Sequence, residues 1–126
     1  MTMGTLFGIG VGPGDPELLT VKGARLLASC DHIFAPKPPD APSSVSLDIV
    51  RDHVKSSAVI HEVIFPMTKD PDELARRWDE SAARVARVLQ TGADVCYLTL
   101  GDAFLYSTYI YLVQALRRQL PDVHVV

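Results

Sequence analysis

The chain has 126 residues, of which 48% are hydrophobic and 21% charged, and its formal net charge at pH 7 is −3. This length suits one domain with its own core, and the slight acidic balance argues against a general nucleic-acid binder, which carries a basic excess. No apolar run reaches the roughly 18 residues of a membrane span, and the amino terminus lacks the basic stretch of a signal peptide. We therefore expect a cytoplasmic domain with neither a membrane nor a nucleic-acid partner.

Strand and helix signals alternate along the chain, which predicts an α/β fold with an open, mostly parallel sheet of about five strands flanked by helices. The expected strands are 5–11, 32–35, 58–65, 95–100 and 122–126. The expected helices are 15–28, 44–55, 71–91 and 104–120. The proline-rich segment from Pro36 to Ser44 predicts a stiff, extended loop between the second strand and the second helix.

Two helices are expected to begin at an aspartate followed by a proline, Asp15-Pro16 and Asp70-Pro71, because aspartate caps a helix and proline suits its first position. The third helix is the longest, and Gly92 is its expected end. Its apolar residues recur at helical spacing and should form its buried face; they are Leu74, Trp78, Ala82, Val85 and Leu89.

The cysteines and histidines predict neither a disulfide framework nor a metal centre. Cys30 and Cys96 lie in apolar segments, where reduced thiols pack as small hydrophobic side chains. The histidines have no ligand spacing with one another or with the cysteines; they are His32, His53, His61 and His124. We expect reduced core cysteines and no bound metal.

Three turns follow predicted strands, at 10–15, 36–44 and 101–107, and ligands of open α/β sheets bind at such strand ends. The first turn, GIGVGPGD, does not match the dinucleotide fingerprint, because its third glycine would have to stand at Pro13 or Asp15. No Gly-Lys-Ser/Thr sequence occurs, so the phosphate-binding P-loop is excluded. The first turn by itself indicates a tight strand-to-helix connection as strongly as a ligand site.

Taken together, GIGVGPGDPELLTVKGARLL, GDAFLYSTYIYL and FPMTKDPDELARRWDESAARVARVLQTGADVCYLTLGD resemble the tetrapyrrole (corrin/porphyrin) methylases. Within that family they are similar to the enzymes that methylate C20 of precorrin-2 in cobalamin biosynthesis. The resemblance implies that residues 1–126 form the amino-terminal domain of a two-domain enzyme, with the carboxyl-terminal domain absent from this chain. It also implies S-adenosylmethionine (SAM) as methyl donor, precorrin-2 or cobalt-precorrin-2 as substrate, and a homodimer in the full-length form.

The resemblance implies site residues in the first and last of the three turns and after the second strand. Cofactor contacts are expected from Val11, Pro13, Gly101, Asp102, Ala103, Phe104, Leu105 and Thr108. Substrate contacts are expected from Gly12, Lys37 and Tyr106. No catalytic residue is implied, because Pro36 stands where some relatives have an acid. Ala103 replaces the proline of the family's Gly-Asp-Pro, which frees the backbone of the cofactor loop at this position.

Several of these residues have a second interpretation. Asp102 is either a cofactor contact or a helix cap, and Lys37 either meets a substrate carboxylate or is a solvated loop lysine. Tyr106 and Tyr109 either reach the cleft or belong to the core. The alternative functions are another methylase of this fold, acting at a different ring position or making diphthine, and a non-catalytic α/β binding domain.

Overall fold

The computed structural model describes residues 3–12, 14–37, 42, 44–64, 70–99 and 109–126. Five strands form one sheet: β1 (Thr5–Gly10), β2 (His32–Lys37), β3 (Val59–Ile64), β4 (Val95–Thr99) and β5 (His124–Val125). Four α-helices connect them: α1 (Val21–Ser29), α2 (Val45–Val50), α3 (Pro71–Gln90) and α4 (Tyr109–Gln119). Short 3-10 turns occupy Pro16–Leu18 and Arg51–His53. The predicted α/β class is confirmed.

All described strand pairings are parallel, and the strands lie in the order β3-β2-β4-β1-β5. The fourth strand in sequence is therefore the central one, between β2 and β1. Parallel sheets are covered by helices on both faces, and the alternation of side chains along each strand divides the core accordingly.

One core cluster lies between the sheet and helices α3 and α4, and it contains Leu6, Phe34, Tyr97, Trp78 and Leu112 among others. The second lies against α1 and α2 and is built around Ile9, Val11, Ile33, Leu27 and Leu98. Along β1, even-numbered residues face α3 and α4, whereas odd-numbered residues face α1 and α2.

Helix α3 agrees closely with its prediction. Asp70 is its N-cap, with the carboxylate accepting a hydrogen bond from the Asp72 amide, and Gly92 follows its end with φ +92°. Four of the five predicted core residues are buried, and Leu74 packs against them from a half-buried position. The 20 residues of α3 thus present one continuous apolar stripe to the sheet.

The predicted beginning of the first helix at Asp15 is wrong. The Asp15 carboxylate accepts from the Glu17 amide, but it caps only the 3-10 turn Pro16–Leu18. Helix α1 begins at Val21, and its cap is Thr20, whose hydroxyl accepts from the Gly23 amide at 3.0 Å. Two caps in succession divide the segment that the sequence pattern treats as one helix.

The predicted loop boundary at Pro36 is also wrong, because β2 continues through Pro36 and Lys37. Both residues pair in register with β3, whereas the ladder between β2 and β4 ends at Phe34. Pro36 therefore lies where β2 has a partner strand on one side only, the position in which a sheet tolerates proline. The Pro36 carbonyl accepts a hydrogen bond from the Ser44 hydroxyl at 2.8 Å.

The cysteines are free and buried, as predicted. The hydrogen bond shared with Cys30 and burial raise the pKa of Cys96 far above its ordinary value, so this thiol stays protonated. Within the described ranges, no helix is both long and apolar enough to cross a bilayer.

Candidate functional site

The candidate site lies where β1 and β4 end side by side. In the strand order, the connection from β1 leads to β2, on one side of the β4–β1 pair. The connection from β4 leads by way of α4 to β5, on the other side of that pair. Diverging connections of this kind open a crevice at the carboxyl ends of the two strands, and open α/β sheets bind ligands there. The turn after β1 and Thr99, the last residue of β4, therefore border the same crevice.

The turn after β1 has an unusual backbone. Gly12 has φ +82° and Gly14 has φ +145°, both in the region that favours glycine. Apart from its chain neighbours, no described residue has an atom within 4 Å of the position that a Cβ on Gly14 would occupy. At Gly14 the backbone can therefore approach a ligand without a side chain of its own.

The side chain and the amide of Val11, a predicted cofactor contact, are both engaged within the fold. Its side chain is fully buried in the core beneath α1 and α2. Its amide donates to the Thr99 carbonyl at 2.9 Å, which ties the turn after β1 to the last residue of β4.

Thr99 is a residue of this site that the sequence analysis missed. It is paired with Gly10 in the register of β1 and β4, and it is only 5% exposed. The hydroxyls of Thr99 and Tyr97 are buried without a hydrogen-bond partner among the described residues. A lone threonine in an apolar strand, two residues before the predicted turn 101–107, was the available sequence signal.

Tyr97 and Tyr109 carry neutral hydroxyls within the core cluster against α3 and α4. Burial raises the pKa of Tyr97 and of Tyr109 above the ordinary value of a phenol, so both remain protonated at neutral pH. Tyr109 is fully buried against Tyr97, with ring centroids 5.8 Å apart. Of its two interpretations, the structure supports the core residue, and neither phenol is suited to accept a proton.

Lys37 lies at the carboxyl end of β2 and is not a solvated loop lysine. Its Nζ is 3.4 Å from Oε2 of Glu62 on β3. The ion pair holds the Lys37 ammonium at the carboxyl end of β2, which is two strands away from β1 in the sheet. Any contact of Lys37 with a substrate carboxylate would have to compete with Glu62.

Pro13 and the predicted site residues in and directly after the last turn lie outside the described residues; the latter are Gly101, Asp102, Ala103, Phe104, Leu105, Tyr106 and Thr108. Their roles stay predictions. Among the described residues, no three of the histidines, cysteines and acids are grouped so as to hold a metal ion.

A pocket of about 130 Å³ lies between β1 and the start of α1, lined in part by Gly8, Gly10, Thr20 and Gly23. Sites for nucleoside-sized ligands usually measure roughly 300–1,000 Å³. The described residues alone therefore do not enclose such a ligand, although they form one wall of the crevice.

The fold and the site define a class: parallel α/β domains that bind a ligand at a switch point through a glycine-rich turn. The family model described as Tetrapyrrole (Corrin/Porphyrin) Methylases matches residues 5–126. The chain belongs to this family, as the resemblance of its motifs predicted.

Two curated relatives show which members of the family this chain is similar to. The cobalt-precorrin-2 C(20)-methyltransferase of Salmonella typhimurium is 40% identical over 111 residues, which are 88% of this chain and 47% of the relative. The probable enzyme of the same name from Methanocaldococcus jannaschii is 35% identical over 121 residues, 96% of this chain and 51% of the relative. The chain thus spans about half the length of these relatives.

Solved structures show the same fold. Cobalt precorrin-4 methyltransferase, CbiF, superposes with a TM-score of 0.69 at 27% identity, over 97% of this chain and 44% of that one. Uroporphyrin-III C-methyltransferase from Thermus thermophilus, complexed with S-adenosyl homocysteine, gives a TM-score of 0.59 at 25% identity, over 97% and 46% of the two chains.

Proposed function

We propose that this chain is the amino-terminal half of a SAM-dependent methyltransferase that acts on C20 of precorrin-2 or cobalt-precorrin-2. The observation that carries the proposal is the match to C20-methyltransferases, at 40% identity in Salmonella typhimurium. The match in Methanocaldococcus jannaschii covers 96% of this chain, so it includes both turns at the switch point. A cobalt-precorrin-4 C(11)-methyltransferase is only 26% identical over the same share of the chain, which favours C20.

The described residues fit SAM as one wall of its site. The open backbone of the turn at Gly12 and Gly14 admits a flat ligand, and the protonated hydroxyl of Thr99 lies buried at the end of β4. Asp102 is the third residue after the end of β4 in sequence, and a carboxylate there is suited to accept from the ammonium or the ribose hydroxyls of SAM. The other cofactor contacts proposed are those that the family resemblance implies.

SAM supplies a methyl group on a sulfonium, which is an activated donor. An electron-rich tetrapyrrole is itself a nucleophile, so the protein's task is to align donor and acceptor and to exclude water. Tyr97 and Tyr109 are neutral and buried in the core behind this wall, so neither supplies a base that could compete for the methyl group. Gly12, Lys37 and Tyr106 are the proposed substrate contacts.

A second domain completes the site in this proposal. The described residues enclose only about 130 Å³ beside β1, and the relatives are about twice as long as this chain. We propose that the additional half covers SAM from the opposite side and that the complete enzyme is a homodimer. The non-catalytic alternative predicts that the extended chain binds SAM without transferring its methyl group.

The test of the function uses an extended chain that carries the carboxyl-terminal half of the Salmonella relative, supplied with methyl-deuterated SAM and precorrin-2. The expected result is a product with the label at C20, located by NMR and mass spectrometry. A label at another ring carbon would identify a different methylase of this fold. Binding without any labelled product would support the binding domain instead.

Asp102→Ala in the extended chain should weaken SAM binding by about 1–3 kcal/mol, because the polar groups of SAM would lose a buried partner. Isothermal titration calorimetry measures the change. Asp15→Ala is the matched control, since Asp15 also follows a strand but caps a 3-10 turn. Equal affinity in the Asp102 variant and the parent chain would leave Asp102 as a helix cap only.

A further inference from the structure

His32 and His61 form a hydrogen-bonded pair across β2 and β3 that the proposed function does not use. His32 Nδ1 and His61 Nε2 are 3.1 Å apart, and the ring centroids are 5.3 Å apart. Both rings are partly buried on the side of the sheet that faces α3. Among the described strands, β3 lies at the edge of the sheet and pairs with β2, so this pair joins the edge strand to the rest of the molecule.

An aromatic ring and a positive charge lie beside His61. His61 stacks on Phe34 with ring centroids 4.3 Å apart, and the Arg84 guanidinium of α3 lies 5.7 Å from the Phe34 ring centroid. No carboxylate is hydrogen-bonded to either imidazole among the described residues. Asp31 interacts with the charge of His32 but is itself bonded to Lys55, and Glu62 is paired with Lys37. Glu80 and Arg77 line a pocket between α3 and β3.

The distance between the two nitrogens limits the number of protons that the pair holds. A hydrogen bond between imidazoles needs one N–H donor and one bare nitrogen acceptor. A proton on that acceptor would set two N–H groups against each other at 3.1 Å, with Arg84 as a further positive neighbour. The same positive neighbour, and the lack of a third ligand among the described residues, disfavour a divalent cation at this position.

We propose that His32 and His61 form a proton-sensitive latch that fastens edge strand β3 to β2 at neutral pH and loosens β3 in mild acid. Burial, the charge of His32 and the charge of Arg84 lower the pKa of His61. The unfolded chain therefore takes up the proton first, and stability is lost as the pH falls below about 6.5, the ordinary pKa of histidine. The central strands β4 and β1 have no part in the latch and remain paired.

The first test follows the imidazole nitrogens of the chain by NMR between pH 4.5 and 8. In the parent chain, His61 should take up its proton below the ordinary range of a histidine. In the variant His32→Gln its midpoint should rise, because the repulsion from the neighbouring imidazole is gone. An unchanged midpoint in His32→Gln, or an ordinary midpoint in the parent chain, would overturn the latch.

The second test compares thermal unfolding at pH 7.5 and pH 5.5. On acidification, the melting temperature of the parent chain should fall by about 3–6 °C more than that of the double variant His32→Gln/His61→Gln. A difference of this size is expected when the titration of one histidine is coupled to the unfolding of a domain of this length. His53→Gln is the control, because His53 is exposed in the 3-10 turn. Equal losses in the parent chain and the double variant would contradict the proposal.

Hydrogen exchange of the backbone amides shows which strands open in acid. After correction for the intrinsic pH dependence, exchange at pH 5.5 should accelerate in the amides of β3 and remain slow in β1 and β4. Acceleration of the same size in β4 would mean that acid unfolds the whole sheet, and it would refute a local latch.

Discussion

The ring of Tyr109 occupies the space that a side chain at position 8 would fill. A Cβ on Gly8 would lie 2.5 Å from Cε2 and 2.6 Å from Cζ of Tyr109, closer than such atoms approach in proteins. Gly8 also pairs in register with Tyr97, which in turn pairs with Phe34, so the Tyr109 ring extends an aromatic row across the sheet. The first glycine of the turn motif therefore serves packing, whereas Gly12 and Gly14 serve the backbone of the site.

Gly8→Ala should destabilise the chain by about 1–3 kcal/mol, because the added methyl group overpacks a rigid contact. Urea unfolding measures the loss. The loss should shrink in the background Tyr109→Leu, since residues in contact are not additive, and a coupling above about 0.5 kcal/mol is expected. Additive losses would show that the two positions do not share this space.

At the scale of elements, α3 is the best test of local sequence signals. Asp70 accepts from the Asp72 amide and so satisfies one of the free amides at the start of the helix. Asp70→Ala should cost about 1 kcal/mol in the free energy of unfolding. Glu80→Ala, an exposed substitution in the middle of the same helix, should change stability by less than about 0.5 kcal/mol. Chemical denaturation of both variants checks the comparison, and equal losses would argue against a capping role.

The elements that the sequence predicted correctly are those with strong local causes, such as the apolar stripe of α3 and the continuous apolar run of β4. The errors arose where two signals compete. Asp15 and Thr20 are both competent caps, and only the packing of α1 decides that the helix begins after Thr20. Pro36 reads as a loop residue, but pairing with β3 keeps it in the sheet.

The candidate site was less predictable than the fold. Residue spacing located the glycine turn, but the strand order that brings it beside β4 depends on contacts between residues far apart in sequence. Thr99 shows the reason: its carbonyl holds Val11, and neither residue carries a local signal of that contact. The assignment of Asp102 and its neighbours to a cofactor stays a prediction.

For the molecule as a whole, we expect this chain to bind SAM much less tightly than the extended chain. Affinity for a small ligand depends on burial and on polar groups that converge from several sides, and the described residues form one wall. Calorimetry with SAM should give a dissociation constant at least about tenfold higher for the 126-residue chain. Equal affinities would contradict the proposal that a second domain completes the site.

The strand order also governs how this protein folds during its synthesis. Among the described strands, β1 pairs with β4 and β5, and the bond from the Thr5 amide to the Asp94 carboxylate spans 89 positions. At about 5–20 residues per second, a ribosome needs roughly 4–18 s between making the two ends of that bond. Throughout that interval β1 lacks the strands that flank it in the folded sheet and is exposed to aggregation. Assembly of the sheet's centre therefore begins only when the fourth strand has emerged from the ribosome.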